Sequence, residues 1–431
     1  MVTPRSPFHA SVYNLHQAVF SLAHAELELL LATTPNVLIV QDLDGVCMGL
    51  VNDPLQRSLD PDYVLATQQF DGHFYVLTNG EHEGQRGVNR IVERSLSTVS
   101  GQSVSYLPGL AAGGVQWQDR DGQVSHPDVS SAELAFLRHA YCQMKDTLRA
   151  FLIQGAFVAP EEIDSILQAS VLDNVASPTV NLNTLYSLLG DRLNDYVQLQ
   201  QAIQQQMEQL LHDANQQGLS DAFFIHYAPN LGRDETGHEI PWLASAKHSG
   251  TTDFQFMLKG AIKEAGVLWL LNHYYYRQTG HYPLGEDFQM RQVPQDVEAL
   301  VSLVKEHFNP QWMPRIVGVG DTVNSQQEYC DGAWVVRRGG SDRNFLLLIQ
   351  QLGEAFDTKN ITVYVDSSHG EVKNRRPLKL ANVDGALQVL EGPCDPRDLD
   401  DPLRLNVIFP RGHEQYCTMF KRAAQRRVAI R

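Results

Sequence analysis

Residues 37–50 read VLIVQDLDGVCMGL, and the reading of this stretch decides the fold. Val37, Leu38, Ile39 and Val40 form an unbroken aliphatic run, the pattern of a strand buried on both faces of a parallel sheet. Gln41 follows, then Asp42 and Asp44, two residues apart, and Gly45 where the chain can turn sharply. Strand residues i and i+2 share a face, so both carboxylates project together beyond the strand's carboxyl end. Open α/β sheets place their ligands there. Two bare carboxylates side by side repel, so the pair needs a cation, a shared proton or solvent. The same residues also suit a strand that ends in an ordinary Asp-Gly turn, and the rest of the chain has to decide.

Two further apolar runs end in the same way. HFYVLTNG (73–80) is a short strand closed by Thr78 and Asn79, a hydroxyl and an amide able to hold a phosphate oxygen together with nearby backbone N–H groups. The polar loop EHEGQRG (81–87) after it offers His82 and Arg86. IVGVGDTVN (316–324) is a third strand that runs into Asp321. Between the second and third runs the composition shifts. Residues 107–117 are small and apolar and, with Asp121-Gly122, predict strands joined by a hairpin turn. Helices are expected over residues 131–153, 161–169 and 182–211, a strand over 223–227, and turn residues over 229–238. A helix is then expected over 254–272, with strands over 315–320, 361–365 and 403–409 and helices over 344–355 and 414–425. This predicts an α/β protein in three parts: a first core part over 1–128, an inserted α/β cap over 129–246, and a second core part over 247–431.

Composition narrows the function. A hydrophobic share of 43% and a charged share of 19% belong to a globular protein, and 431 residues suit two domains. No apolar run reaches the length of a membrane span, and residues 18–32 read as an amphipathic helix rather than a leader. The formal charge of −16 argues against a nucleic-acid partner, and any anionic substrate needs local positive charge. Five cysteines without a CxxC pair point to a reducing cytoplasm.

In their order along the chain, strand-DxDG, strand-Thr, insertion, lysine helix and strand-Gly-Asp resemble the haloacid dehalogenase superfamily, sugar-phosphatase branch. That resemblance implies a Rossmann-like core with a parallel sheet, Asp42 as nucleophile, Asp44 as general acid/base, and a lysine that neutralises the phosphoryl group. Lys263, in KEAGVL (263–268), resembles the branch's Lys-Gly-x-Ala-Leu helix start, with Glu264 in place of Gly. Lys259-Gly260 keeps the Gly but continues less well, so both stay in play. The resemblance also implies Mg²⁺ held by Asp42, the backbone carbonyl of Asp44, and Asp321; an octahedral ion that keeps several waters needs no more. Where the superfamily carries a second acid after Asp321 and Asn324, this chain has Ser325, and Asp342 is the candidate replacement. Residues 39–48, 77–82, 107–118, 171–183, 226–234, 249–258 and 318–323 are further similar, nearly residue for residue, to the cyanobacterial glucosylglycerol-phosphate phosphatase family. That family implies hydrolysis of glucosylglycerol 3-phosphate, a step to a compatible solute made under salt stress, and the substrate's synthase as a possible partner. Asp173, Asn174, Asn181, Asn183, His226, Asn230 and Arg233 of the insertion are candidates for the glucosyl hydroxyls. Arg338, Arg375 and Arg376 are candidates for the anion.

Overall fold

The structure, a computed structural model, describes residues 12–97, 105–246, 248–330, 333–372, 375–383, 386–393, 398 and 400–430. The first part of the chain supplies α1 (His24–Thr33), β1 (Val37–Gln41), α2 (Pro61–Thr67), β2 (Phe74–Leu77), α3 (Val88–Leu96), β3 (Gly109–Ala111), β4 (Gln116–Gln118) and β5 (Val124–Ser125). The middle supplies α4 (Ser131–Gln154), α5 (Ile163–Ser170), β6 (Val171–Leu172), β7 (Thr179–Asn181), α6 (Asn183–Leu188), α7 (Leu193–Gln216), β8 (Phe223–Ala228), β9 (Asn230–Arg233), β10 (Glu239–Pro241) and β11 (Asp253–Leu258). The last part begins with α8 (Lys263–Thr279), α9 (Val297–His307), β12 (Arg315–Gly320), β13 (Asn324–Cys330), β14 (Ala333–Gly339), α10 (Arg343–Phe356) and β15 (Ile361–Val365). It closes with β16 (Lys379–Val383), β17 (Ala386–Glu391), β18 (Val407–Phe409) and α11 (His413–Ile430).

All five residues of β1 are buried, as an unalternating run requires. The strand lies inside a sheet of order β18-β15-β12-β1-β2-β3-β4-β5, parallel from β18 to β3 and antiparallel at its β4–β5 edge. Val37 and Ile39 pack among Leu27, Tyr63, Ile91 and Phe420 of α1, α2, α3 and α11. Leu38 and Val40 face the other way, towards Leu268, Leu271, Leu346 and Ile349 of α8 and α10. The sheet is thus covered by helices on both faces, a three-layer α/β core. From β1 the chain builds outwards through β2 and β3, then returns on the other side with β12. The junction of β1 and β12 is a topological switch point, and Asp42 and Asp321 leave it side by side.

The middle segment folds around its own sheet, of order β6-β7-β11-β8, with a separate apolar cluster that includes Leu137, Leu148, Leu199, Met207 and Phe256. Two expectations fail here. The helix expected over 254–272 is a strand followed by a helix, so the second sheet runs to Leu258, past the expected boundary at 246. Phe254, Phe256 and Leu258 are all fully buried at every second position, which is the strand's period. Gly260, at φ +80 with room for no Cβ beside the Arg291 backbone, turns the chain into α8. The helix expected over 182–211 is two helices, broken between Leu188 and Leu193 where Gly190 falls, and the second runs on to Gln216. The turn residues over 229–238 form the β9–β10 hairpin instead of an open loop. The β13–β14 and β16–β17 hairpins were not anticipated, and the last strand is shorter than expected. The helix expected from residue 18 begins only at His24. Among the described residues no helix is long and apolar enough to cross a membrane.

Candidate active site

The carboxyl ends of the central strands bring Asp42, Lys263, Asp321 and Asp342 together. Asp42 stays registered beyond β1 through its N–H, which donates to the Val319 carbonyl at 3.0 Å. Its Oδ1 accepts from the Leu43 N–H at 2.7 Å, and its Oδ2 accepts from Lys263 Nζ at 2.6 Å. The same ammonium donates to Asp342 Oδ1 at 2.6 Å. Lys263 is the first residue of α8, and a helix N-terminus is an unfavourable place for a cation. Two buried carboxylates in contact outweigh that cost. Lys259, one turn earlier in sequence, lies on the surface and pairs with Asp221 instead.

Asp342 Oδ2 accepts from the N–H groups of both Asp321 and Thr322, each at 2.9 Å. It therefore fixes the direction in which the Asp321 carboxylate leaves β12. Carboxylate oxygens of Asp42, Asp321 and Asp342 all lie within 4.8 Å of one another. One ammonium against three acids leaves the cluster negative. Burial pushes Asp42 up to about 7 despite Lys263, with Asp342 and Asp321 adding to the rise. Burial likewise pushes Asp321 up to about 6. Burial also acts upwards on Asp342, but Lys263 and the two N–H donors outweigh it and keep its carboxyl low. For Lys263 burial works against the charge, and Asp342 and Asp42 more than offset it, so the ammonium persists.

The donor set fits a hard divalent cation. Asp321 Oδ1 accepts from the Thr322 hydroxyl at 2.8 Å, but its buried Oδ2 accepts no hydrogen bond among the described residues, and Arg375 Nε stands 3.8 Å off. A buried carboxylate oxygen without a donor is costly, and an oxygen-seeking ion would satisfy it. Gly45 lies against that atom. At φ +76, a Cβ there would sit 2.2 Å from Asp321 Oδ2, so glycine alone lets the DxDG turn close onto the third strand. The oxygens of Asp342 are already committed, to Lys263 on one side and to two N–H groups on the other. Asp342 therefore acts as a brace between Lys263 and the start of the segment after β12.

Asp44 stands apart from the triad and pairs with Arg57 Nε at 3.0 Å. Thr78 is buried at the end of β2, where its hydroxyl accepts from the Gly80 N–H at 3.2 Å. A Cβ on Gly80 would lie 3.6 Å from that hydroxyl and 4.0 Å from Asp44 Oδ2, so the two side chains flank one small space. Asn79 is half-buried beside them.

Several expected residues have other duties. His82 is fully buried and its Nε2 lies 3.1 Å from the Gly109 carbonyl, which makes it part of the core. Arg86 and Asp173 meet each other at 3.4 Å. Asn174 donates to the Ser177 carbonyl within its own turn. His226 and Asn230 both hold Glu239 and so brace a hairpin. Asn183 uses its N–H to donate to Asn181 Oδ1, which caps the turn into α6. Asn324 is exposed, and the Ser325 hydroxyl donates to Asp398 at 2.6 Å, which turns both away from the acids. Arg338 also binds Asp398, and Arg376 is exposed. Arg375 does reach the site, where it donates to the Thr322 hydroxyl at 3.2 Å. The Arg233 side chain lies outside the described residues. Asn181 donates to Asp253 Oδ1 at 2.7 Å across the β7–β11 register. Burial raises the Asp253 carboxyl, opposed first by its hydrogen bonds from Asn181 and Thr252 and then by the charges of Arg57 and Arg375 from the core. Asp253 and Arg57 escaped the sequence reading. Arg57 carries no motif around it, and Asp253 falls one residue before the helix expected over 254–272, where no strand is expected to place it.

A sequence model of the glucosylglycerol-phosphate phosphatase family matches residues 36–424. The glucosylglycerol-phosphate phosphatase of Synechocystis sp. is 57% identical over 416 residues, covering 96% of this chain and 98% of its own. Among solved structures, the C-terminal domain of Candida albicans trehalose-6-phosphate phosphatase aligns over 94% of this chain and 99% of its own, at 9% identity and a TM-score of 0.44. The C-terminal domain of the Candida albicans trehalose synthase regulatory protein aligns over 83% and 94%, at 8% identity and a TM-score of 0.42. Likeness this loose adds nothing to what the strand order already shows.

Proposed function

Because the chain belongs to the glucosylglycerol-phosphate phosphatase family, we propose that it hydrolyses glucosylglycerol 3-phosphate to glucosylglycerol and phosphate. The observation that carries the chemistry is the Asp42 carboxylate, held beyond the central strand with Lys263 Nζ at 2.6 Å. Asp42 attacks phosphorus in line, the bond from phosphorus to the glycerol oxygen breaks, and Asp44 gives its proton to the departing oxygen. Asp44 then takes a proton from water, which attacks the aspartyl phosphate and frees Asp42. Arg57, paired with Asp44, keeps the acid/base aimed at the leaving group. Lys263 and the Thr78 hydroxyl, with Asn79 beside it, meet the phosphoryl oxygens, and Arg375 adds positive charge next to Asp321.

Asp42 and Asp321, with the backbone carbonyl of Asp44, would hold Mg²⁺, which supplies charge neutralisation for the phosphoryl group in transfer. The segment around the second sheet, from about 129 to 258, serves as the cap, and Asn181 and Asp253 on neighbouring strands are its candidates for sugar hydroxyls. The setting we infer is a reducing cytoplasm, consistent with free thiols at Cys47, Cys142 and Cys417 among the described residues. The product would serve as a compatible solute in salt acclimation of a cyanobacterial cell, and the enzyme producing the substrate is a natural partner.

Phosphate release from a panel of sugar phosphates with Mg²⁺ tests the reading. Glucosylglycerol 3-phosphate is expected to be preferred, and Asp42→Asn is expected to abolish turnover while the circular dichroism spectrum stays unchanged. A preference for trehalose 6-phosphate or sucrose 6-phosphate would overturn the substrate assignment. Silence on the whole panel would overturn catalysis in favour of a regulatory partner of the synthase.

A further inference from the structure

The residue after the phosphate-side loop, Glu81, sends its carboxylate out of the core and into the cap. Its Oε2 accepts from the Val175 N–H at 2.6 Å, and its Oε1 accepts from the Ala176 N–H and the Ser177 N–H, each at 2.7 Å. The Ser177 hydroxyl is a fourth donor to the carboxylate, reaching Oε1 at 2.9 Å. Gln116 Nε2, from the core sheet, lies 3.4 Å from Oε2. Three successive backbone N–H groups closing on one carboxylate form an anion-binding concavity, here filled by a side chain from the other half of the molecule. Ties on either side continue the seam. Asp173 accepts from the Gln85 N–H at 2.9 Å, and Gln168 donates to Gln85 at 2.7 Å.

Glu81 is only 3% exposed, and burial raises its carboxyl to about 7 even with four donors in place. A buried ionisable group is an expensive way to join two surfaces, since well-packed apolar residues join them at lower cost. What the carboxylate adds is direction. It stands three positions after Thr78, and its partners lead straight into β7, which carries Asn181 beside Asp253.

We propose that Glu81 is a positioning residue that sets the distance between the phosphate-gripping loop at 78–80 and the sugar-facing strands of the cap. Fit to the whole sugar phosphate, rather than to its phosphate alone, then depends on this anchor. The inference rests on the phosphatase reading above, with the cap as the holder of the sugar.

The experiment compares two substrates on the full-length protein with Mg²⁺: glucosylglycerol 3-phosphate, and p-nitrophenyl phosphate, which has no sugar to reach the cap. Glu81→Gln turns one acceptor into a donor facing N–H groups. It is expected to lower kcat/KM for the sugar phosphate by about 30-fold while p-nitrophenyl phosphate hydrolysis stays within about twofold. Ser177→Ala removes only the hydroxyl donor and is expected to give the same selectivity on a smaller scale, about threefold. It decides the matter if Glu81→Gln does not fold. Equal losses on both substrates, or no loss on either, would overturn the anchor. An unmodified protein that cleaves neither substrate would instead overturn the phosphatase reading, and the anchor with it.

Discussion

At the scale of single residues, the site depends as much on the absence of a side chain as on the acids themselves. Gly45→Ala is expected to push Asp321 Oδ2 aside, because the added carbon would stand 2.2 Å from it in a backbone conformation alanine disfavours. The expected result is a loss of at least about 100-fold in phosphate release, with half-maximal Mg²⁺ shifted upwards, read from a metal titration of the purified variant. An unchanged metal response would mean that Asp321 does not meet the ion. Asp42 and Asp321 stand out in the sequence because each lies at the end of an apolar run, and Asp44 because it follows Asp42 at i+2 just ahead of Gly45. The sequence already favours Lys263 over Lys259 by its continuation, and the start of α8 shows why: Lys263 turns inwards to Asp42 while Lys259 pairs with Asp221 on the surface. Arg57, by contrast, was illegible. Its partner lies at the other end of the long connection from β1 to α2, and nothing near it in the chain announces the pairing.

At the scale of elements, the cap is tied together by a buried amide. Gln200 of α7 is fully buried; its Nε2 donates to the carbonyls of Ser249 at 3.1 Å and Thr251 at 2.8 Å, and its Oε1 accepts from the Ala244 N–H at 2.9 Å. Gln200→Leu would strand those backbone groups away from water. The expected cost is about 2–4 kcal/mol in denaturant unfolding, larger than a surface change in the same helix. Periodicity located β1, β12 and β15 residue for residue or nearly so, since buried parallel strands are unbroken apolar runs. It failed at β11, where alternating phenylalanines run into a helix and the break between them is only the short Lys259-Gly260 turn. It also failed at the β13–β14 hairpin, whose pairing lies between residues that carry no apolar alternation.

At the scale of the whole molecule, proton and metal binding are linked through the buried acids. Asp42 and Asp321 titrate above the usual carboxylate range, at about 7 and about 6, because burial penalises their charged forms. In the metal-free protein, their contribution to stability is therefore greatest at low pH. It is lost as pH rises from about 4, the unfolded value, through the folded values. A divalent cation reverses the penalty by binding the charged forms, and protons compete with it below neutrality. Mg²⁺ is thus expected to raise the melting temperature more at pH 8 than at pH 6, and its apparent affinity to weaken as pH falls between them. Thermal denaturation with and without Mg²⁺ at the two pH values checks this, and an equal shift at both would disconnect these acids from the ion.

The junction of β1 with β12 also bears on how the molecule comes into being. Strand β1 is made early, yet one of its two neighbours in the sheet is made only after the whole segment around the second sheet has left the ribosome. Lys263, which meets Asp42, follows it by 221 residues. A nascent chain therefore exposes one hydrogen-bonding edge of a strand buried on both faces in the finished fold for most of synthesis, while the cap, with its own apolar cluster, can fold first. Birth of the active centre is the last act of assembly. A chain that stops before β12 leaves that edge unpaired and is expected to be a client for chaperones.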